Sequence, residues 1–223
     1  MNASSLIDTM LPTLTLSTSI DEALEVMYDS KVSQLAVLNN GTYTGLISED
    51  FLTDYPFTTH TLDAIPLQFS QVSVKPTQHI FEIIQLVEQY QLQTVAVVDH
   101  QSDFVGSIVV ADLYRQFSKL LGVVETGAVI VLKINQRDYS LSEISRLVES
   151  NGVKIVSTFF STNYSEDYSE NSTLTLKLNQ TNISTILATL ERFGYTVMEV
   201  YTEEPINSID KERFDQLLRY LAT

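Results

Sequence analysis

Ile20-Asp21-Glu22-Ala23-Leu24-Glu25-Val26-Met27, followed by Gln34-Leu35-Ala36-Val37-Leu38, decides the fold, because its pattern occurs twice. Ile20, Ala23, Leu24 and Met27 have the spacing of one helical face, behind Ser17-Thr18-Ser19, a run of N-cap residues. Ile80, Ile83, Ile84 and Val87 repeat that spacing 60 positions later, behind Lys75-Pro76-Thr77. The same offset carries into Thr94-Val95-Ala96-Val97-Val98. Both pentapeptides predict short, nearly all-apolar strands covered on both faces.

A turn follows each strand. Asn39-Asn40-Gly41 predicts a hairpin, because Asn and Gly tolerate positive φ; Asp99-His100-Gln101-Ser102-Asp103 does the same with one residue more. Return strands then open at Gly45-Leu46-Ile47-Ser48 and Gly106-Ser107-Ile108-Val109, now 61 apart, as one inserted residue requires. Short helices over 49–54 and 111–120 close the units. The chain therefore begins with a duplicated β-α-β-β-α unit, with repeats at about 6–55 and 62–120.

With Ile7-Asp8-Thr9-Met10 before the first helix and a glycine opening each return strand, residues 1–120 resemble a tandem pair of CBS domains, a Bateman-type module. The duplication has a physical logic, since one unit leaves a sheet face uncovered and two related units cover each other. The second opening, Leu62-Asp63-Ala64-Ile65, is looser, with a longer connection through Phe69 to Lys75.

The second half has another rhythm. Residues 128–134 form a β-branched run that predicts a strand. Ser140 and Glu143 then form a capping-box pattern ahead of a helix carrying Leu141, Ile144, Leu147 and Val148, ended by Asn151-Gly152. Residues 153–160 and 174–178 predict two strands around a polar, acidic hairpin tip at 163–172. Ile183, Ile186, Leu187 and Leu190 mark a second helix stopped by Gly194, and 195–201 the last strand. The order over 127–204 is β-α-β-β-α-β, a ferredoxin-like plan. Following a CBS pair, it resembles an ACT-like regulatory domain, and the combination resembles acetoin-utilisation-type CBS–ACT proteins. Residues 206–223 predict a terminal helix with Phe214, Leu217, Leu218 and Leu221 on one stripe, too short to stand alone in water. The expected class is α/β plus α+β: a CBS pair, a ferredoxin-like domain and a C-terminal helix.

The CBS resemblance implies adenosyl ligands in clefts between the repeats, held by a Gly-h-h-Thr/Ser-x-x-Asp motif. The Asp takes the ribose hydroxyls, the Thr/Ser hydroxyl holds ribose or phosphate, and the helix N-terminus favours the anion. Each copy keeps half of it. In the first, Ser48 fits, but Phe51 replaces the Asp, and Asp50 stands one residue early, about 100° round the helix. In the second, Asp112 is in register, but Val109 replaces the hydroxyl. Val37 and Val97 on the central strands complete the implied ligand set. The competing reading makes Ser48 and Asp112 simple N-caps. In the ACT-like half the turn Asn135-Gln136-Arg137-Asp138-Tyr139 lacks the glycines of amino-acid-binding ACT domains. Arg137 could meet a carboxylate and Asp138 an ammonium group, but a solvated turn explains both equally, and interface formation is the better expectation.

Composition limits the partners. The 223 residues carry a formal charge of −15, which disfavours nucleic acid and anionic membrane surfaces. The first 120 hold only Lys31, Lys75, Arg115 and Lys119 against 14 carboxylates, a net of −10. Among the candidate ligands AMP, ADP, ATP and S-adenosylmethionine, a triphosphate would need its own Mg²⁺, and AMP, adenosine or S-adenosylmethionine suit this half better. The absence of cysteine excludes disulfides, thiolate metal sites and cysteine nucleophiles. His60, His79 and His100 show no ligand-like spacing, and no motif of nucleophilic or metal catalysis occurs. Neither a bilayer-spanning run nor a basic, apolar leader is present, so the cytoplasm is the expected location. The expected function is that of a non-enzymatic sensor with no certain cofactor: a homodimer whose CBS pair binds an adenosyl ligand and signals through the ACT-like half or a partner. The alternative is a constitutive oligomerisation module with degenerate sites. An RNA-binding reading of the β-α-β-β-α-β half, with Phe159-Phe160 stacking bases, meets a net −5 over 121–223 and adjacent strand residues that face opposite ways.

Overall fold

The structure is a computed structural model that describes residues 1–56, 60–134, 139–164 and 170–203. It divides into two units, 1–117 and 118–223. The expected C-terminal helix at 206–223 lies outside the described residues, as do Arg137 and Asp138.

In the first unit, β1 (Leu14–Thr15), α1 (Ile20–Ser30), β2 (Gln34–Asn39), β3 (Thr42–Ser48) and α2 (Glu49–Thr53) form one repeat. The second holds α3 (Ile80–Tyr90), β4 (Thr94–Val98), β5 (Phe104–Val109) and α4 (Val110–Leu120). Ser19 caps α1 by accepting the Glu22 N–H at 3.2 Å. Sixty residues on, His79 caps α3 in a complete capping box, with Glu82 returning to the His79 N–H at 3.0 Å. Both helices end on a left-handed residue, Lys31 and Gln91, again 60 apart. The first four residues of β2 and all of β4 are buried, as the apolar runs predict. The turn Asn40-Gly41 has both φ positive, at 51° and 85°, the signature of a two-residue hairpin. The return strands start earlier than their glycines, at Thr42 and Phe104, because a β-bulge precedes each glycine and lengthens the strand by an extra residue.

The repeat extends further than the sequence pattern suggests. Leu14 pairs in parallel with Val37, and Val74 with Val97, each pair shifted by 60. The segment ahead of each repeat crosses to the other one. Asp8 pairs with Ser107 of the second repeat, and Gln68 with Leu46 of the first. The two return-strand glycines make the crossing possible. A Cβ on Gly106 would sit 2.4 Å from Ile7 Cγ2, and one on Gly45 2.9 Å from the Gln68 carbonyl oxygen. Equivalent residues also touch along the seam. Gln34 Oε1 accepts the Thr94 N–H at 3.1 Å, and Thr94 Oγ1 donates to the Gln34 carbonyl at 2.9 Å. At the far end Thr42 pairs with Asp103. Residues one repeat apart that contact each other mark a local two-fold axis. One core is built on the first repeat around Ile20, Leu35 and Ile47, with Leu62 and Ile65 added from the opening of the second. A second joins Ala36 and Leu46 of the first repeat to Ile83, Val95 and Ile108 of the second.

The second unit contains β6 (Val129–Ile134), α5 (Leu141–Glu149), β7 (Ile155–Tyr164), β8 (Glu170–Leu178), α6 (Ser184–Arg192) and β9 (Thr196–Tyr201). The sheet order β7-β8-β6-β9, antiparallel throughout, is that of a ferredoxin-like fold. Ile130, Leu132, Leu174 and Leu176 pack against Ile144, Leu147, Ile186 and Leu190. The expected hairpin tip is shorter than 163–172, since β7 runs to Tyr164 and β8 starts at Glu170. Phe159 pairs opposite Thr175 and Phe160 opposite Leu174, so the two rings lie on opposite faces.

Ser140 caps α5 as expected, but the box is not completed. The Glu143 carboxylate instead accepts the Tyr195 hydroxyl at 2.8 Å. Burial, and then this carboxylate, push the Tyr195 phenol up to about 12. Because the folded value lies above the ordinary ~10, its stabilisation is fully present below pH ~10 and is lost as pH rises towards 12. Tyr195→Phe is therefore expected to cost about 1 kcal/mol at pH 8. It should also flatten the loss of stability between pH ~10 and 12, read as the difference in urea midpoints from the parent protein.

Candidate functional site

A cavity of about 340 Å³ opens at the seam of the first unit. It is lined by Lys31, Val32 and Ser33 from the α1–β2 junction and by Gln93, Thr94, Val109, Val110, Ala111 and Tyr114 from the second repeat. A lobe of about 240 Å³ adjoins it, sharing Gln93, Val110 and Tyr114 and adding Glu88, Gln91, Val87 and Leu92. Such volumes fall near or below the lower end of small-molecule sites, ~300–1,000 Å³. Lys31 carries the only formal charge among the residues lining the larger cavity, and Glu88 the only one in the lobe. The left-handed cap at Lys31 turns the chain sharply from α1 into β2, which brings Val32 and Ser33 to the seam. On the opposite wall, Gln93-Thr94 is held by the Gln34 side chain, which accepts both N–H groups at 3.0 and 3.1 Å.

The residues singled out from the motif are not brought together here. Asp112 is the third residue of α4, so it is not that helix's N-cap; its carboxylate pairs with Arg115, three residues on, one turn along the same helix. It lies beside Val110 and Ala111 in sequence but does not line the cavity. Ser48 is an N-cap, accepting the Phe51 N–H at 3.4 Å. It also donates to Gln68 Oε1 from its hydroxyl at 2.8 Å and from its N–H at 3.2 Å. Asp50 is exposed on the first turn of α2, and Phe51 packs against the first-repeat core. Val37 and Val97, the other two residues of the implied ligand set, are fully buried on the central strands, paired with Gly45 and Gly106. Lys31, Ser33, Gln93 and Thr94 line the cavity but lie outside the motif. Their signal was the conserved offset itself, because Ser33 and Gln93 are equivalent positions that face one cavity.

Among the described residues, no helix is long and apolar enough to cross a membrane. No group of three or more His, Asp or Glu side chains suited to a metal occurs among them either.

Residues 3–50 match the family model of the CBS domain. Similar solved structures include a CBS domain pair/ACT domain protein from Thermotoga maritima, at 18% identity over 54% of this chain and 99% of that one, TM-score 0.48. The CBS domains of a transcriptional regulator from Streptococcus pneumoniae match at 16% identity over 52% and 98%, TM-score 0.48. CBSX2 of Arabidopsis thaliana, in complex with AMP, matches at 20% identity over 53% and 96%, TM-score 0.45. Residues 3–50 thus match the CBS-domain model, and the second repeat reproduces the helices, pairings and seam contacts of the first at offsets of 60 and 61, so the first unit has a CBS-pair fold.

Proposed function

We propose that the protein is a non-enzymatic sensor whose CBS pair binds an adenosyl metabolite in the seam cavity. The observation that carries this reading is the cavity itself, walled by both repeats and containing one cation, hydroxyl and amide side chains, and apolar surface for a base. Lys31 suits a single phosphate or carboxylate, and Glu88 in the adjoining lobe suits an amine or sulfonium. AMP and S-adenosylmethionine therefore fit better than ADP or ATP, against the net −10 of residues 1–120. Binding would act by favouring one arrangement of the two repeats. The ferredoxin-like unit is read as ACT-like, in an acetoin-utilisation-type arrangement, relaying the change within a cytoplasmic homodimer or to a partner.

Differential scanning with AMP, ADP, ATP and S-adenosylmethionine, with and without Mg²⁺, tests this reading. Saturating AMP or S-adenosylmethionine should raise the melting temperature by at least ~5 °C. Lys31→Glu should abolish the AMP response. Failure of all four compounds at millimolar concentration contradicts the reading. The half-motif residues favour a second one, since Ser48 and Asp112 already have partners within the fold. It makes the chain a constitutive oligomerisation module, with a dimer in light scattering whose melting ignores nucleotides.

A further inference from the structure

The two repeats differ where the pseudo-two-fold axis would place a second ligand cavity. Val109 lines the open cavity, and its first-repeat counterpart is Ser48. That hydroxyl is not available to a ligand. Gln68 Oε1 accepts both Ser48 groups, at 2.8 and 3.2 Å, while its backbone oxygen takes the Leu46 N–H at 3.0 Å. The close approach is fixed by Gly45, where any side chain would collide with the Gln68 carbonyl. The counterpart of Gln68 in the other leading segment is Asp8. Its carboxylate accepts the Met10 N–H at 2.8 Å, and the counterpart of Ser48 in this repeat is Val109, which has no hydroxyl.

Charge sharpens the asymmetry. Val110 and Ala111 on the open cavity correspond to Glu49 and Asp50 in the first repeat, and Lys31 corresponds to Gln91. The open cavity thus offers a cation and no carboxylate, whereas its mate would offer two carboxylates and no cation. We propose that Gln68 is a built-in stopper that closes the first-repeat half-site, and that with Glu49 and Asp50 it restricts the chain to one anionic adenosyl ligand. The proposal rests on the ligand reading of the open cavity.

Isothermal titration of the full chain with AMP tests it. The parent protein should bind one AMP per chain, and the triple variant Gln68→Ala/Glu49→Gln/Asp50→Asn should bind two. Gln68→Asn in place of Gln68→Ala keeps an amide but is one methylene too short to reach Ser48, and should give the same second site if the alanine variant folds poorly. Adding Lys31→Glu to the triple variant should leave one site, the new one. Two sites in the parent, or one in both parent and triple variant, overturns the stopper while leaving the open cavity as a ligand site. No binding by any of them contradicts the cavity reading itself.

Discussion

Gly127→Ala is expected to destabilise the ferredoxin-like unit by about 3–5 kcal/mol, combining backbone strain with overpacking. Gly127 holds φ at 153°, and a Cβ there would lie 1.9 Å from the Leu178 carbonyl oxygen and 2.9 Å from its carbon. Backbone cannot move aside as a side-chain tip can. The entry of β6 is pinned next to this point, since the Ala128 N–H donates to the Gln180 carbonyl and the Ala128 carbonyl accepts the Leu178 N–H, both at 2.8 Å. Against a typical total of ~5–15 kcal/mol, such a loss leaves little margin. Hydrogen exchange should report it as a roughly hundred- to thousand-fold faster exchange of β6 and β8 amides, with the amides of β2 and β4 unaffected. Gly152→Ala is the control: its φ is also positive, but an added Cβ meets nothing within 4 Å, so only the smaller conformational cost of ~1 kcal/mol is expected. Equal effects of the two substitutions would contradict the clash.

Gly106→Ala should be the next most damaging change, at about 2–4 kcal/mol in the CBS pair, from the same two sources. Here the obstruction is a side chain, Ile7 Cγ2 at 2.4 Å, belonging to the segment that crosses from the first repeat. Ile7→Ala removes that methyl, so the double variant should recover about 1–2 kcal/mol relative to additivity, the size expected for residues in direct contact. The equivalent glycine behaves differently. At Gly45 the obstructing atom is the Gln68 backbone oxygen, so Gln68→Ala should not rescue Gly45→Ala. Denaturant midpoints of the four single and two double variants decide both points. Additivity at Gly106, or rescue at Gly45, would show that the leading segments do not cross as described.

The duplication was legible because helical and strand periodicities recur at a fixed offset, and the buried faces of α1, β2, α3 and β4 follow from them directly. The crossing of the leading segments was not. Asp8–Ser107 and Gln68–Leu46 are single bridges between distant residues, and nothing in Ile7-Asp8 or Leu67-Gln68 marks a partner 99 or 22 positions away. The glycines that permit the crossing were visible, but the reason for them was not. The partners of the motif residues were hidden for a related reason. Read within one copy, Ser48 and Asp112 are retained halves of a motif; the fold pairs Ser48 with Gln68 and Asp112 with Arg115. Likewise Glu143 fits a capping box locally, but Tyr195, 52 residues later, claims its carboxylate. In each case a local pattern placed the residue correctly on its element, and a tertiary partner set its role.

The central claim is that the seam cavity of the CBS pair is a ligand site. Hydrogen exchange on the full chain with and without saturating AMP, and separately with S-adenosylmethionine, tests it most directly. Slowed exchange concentrated in peptides covering 31–34, 92–95 and 109–114 is the predicted result. Unchanged exchange in those peptides with both compounds, or protection confined to residues 127–203, would contradict it.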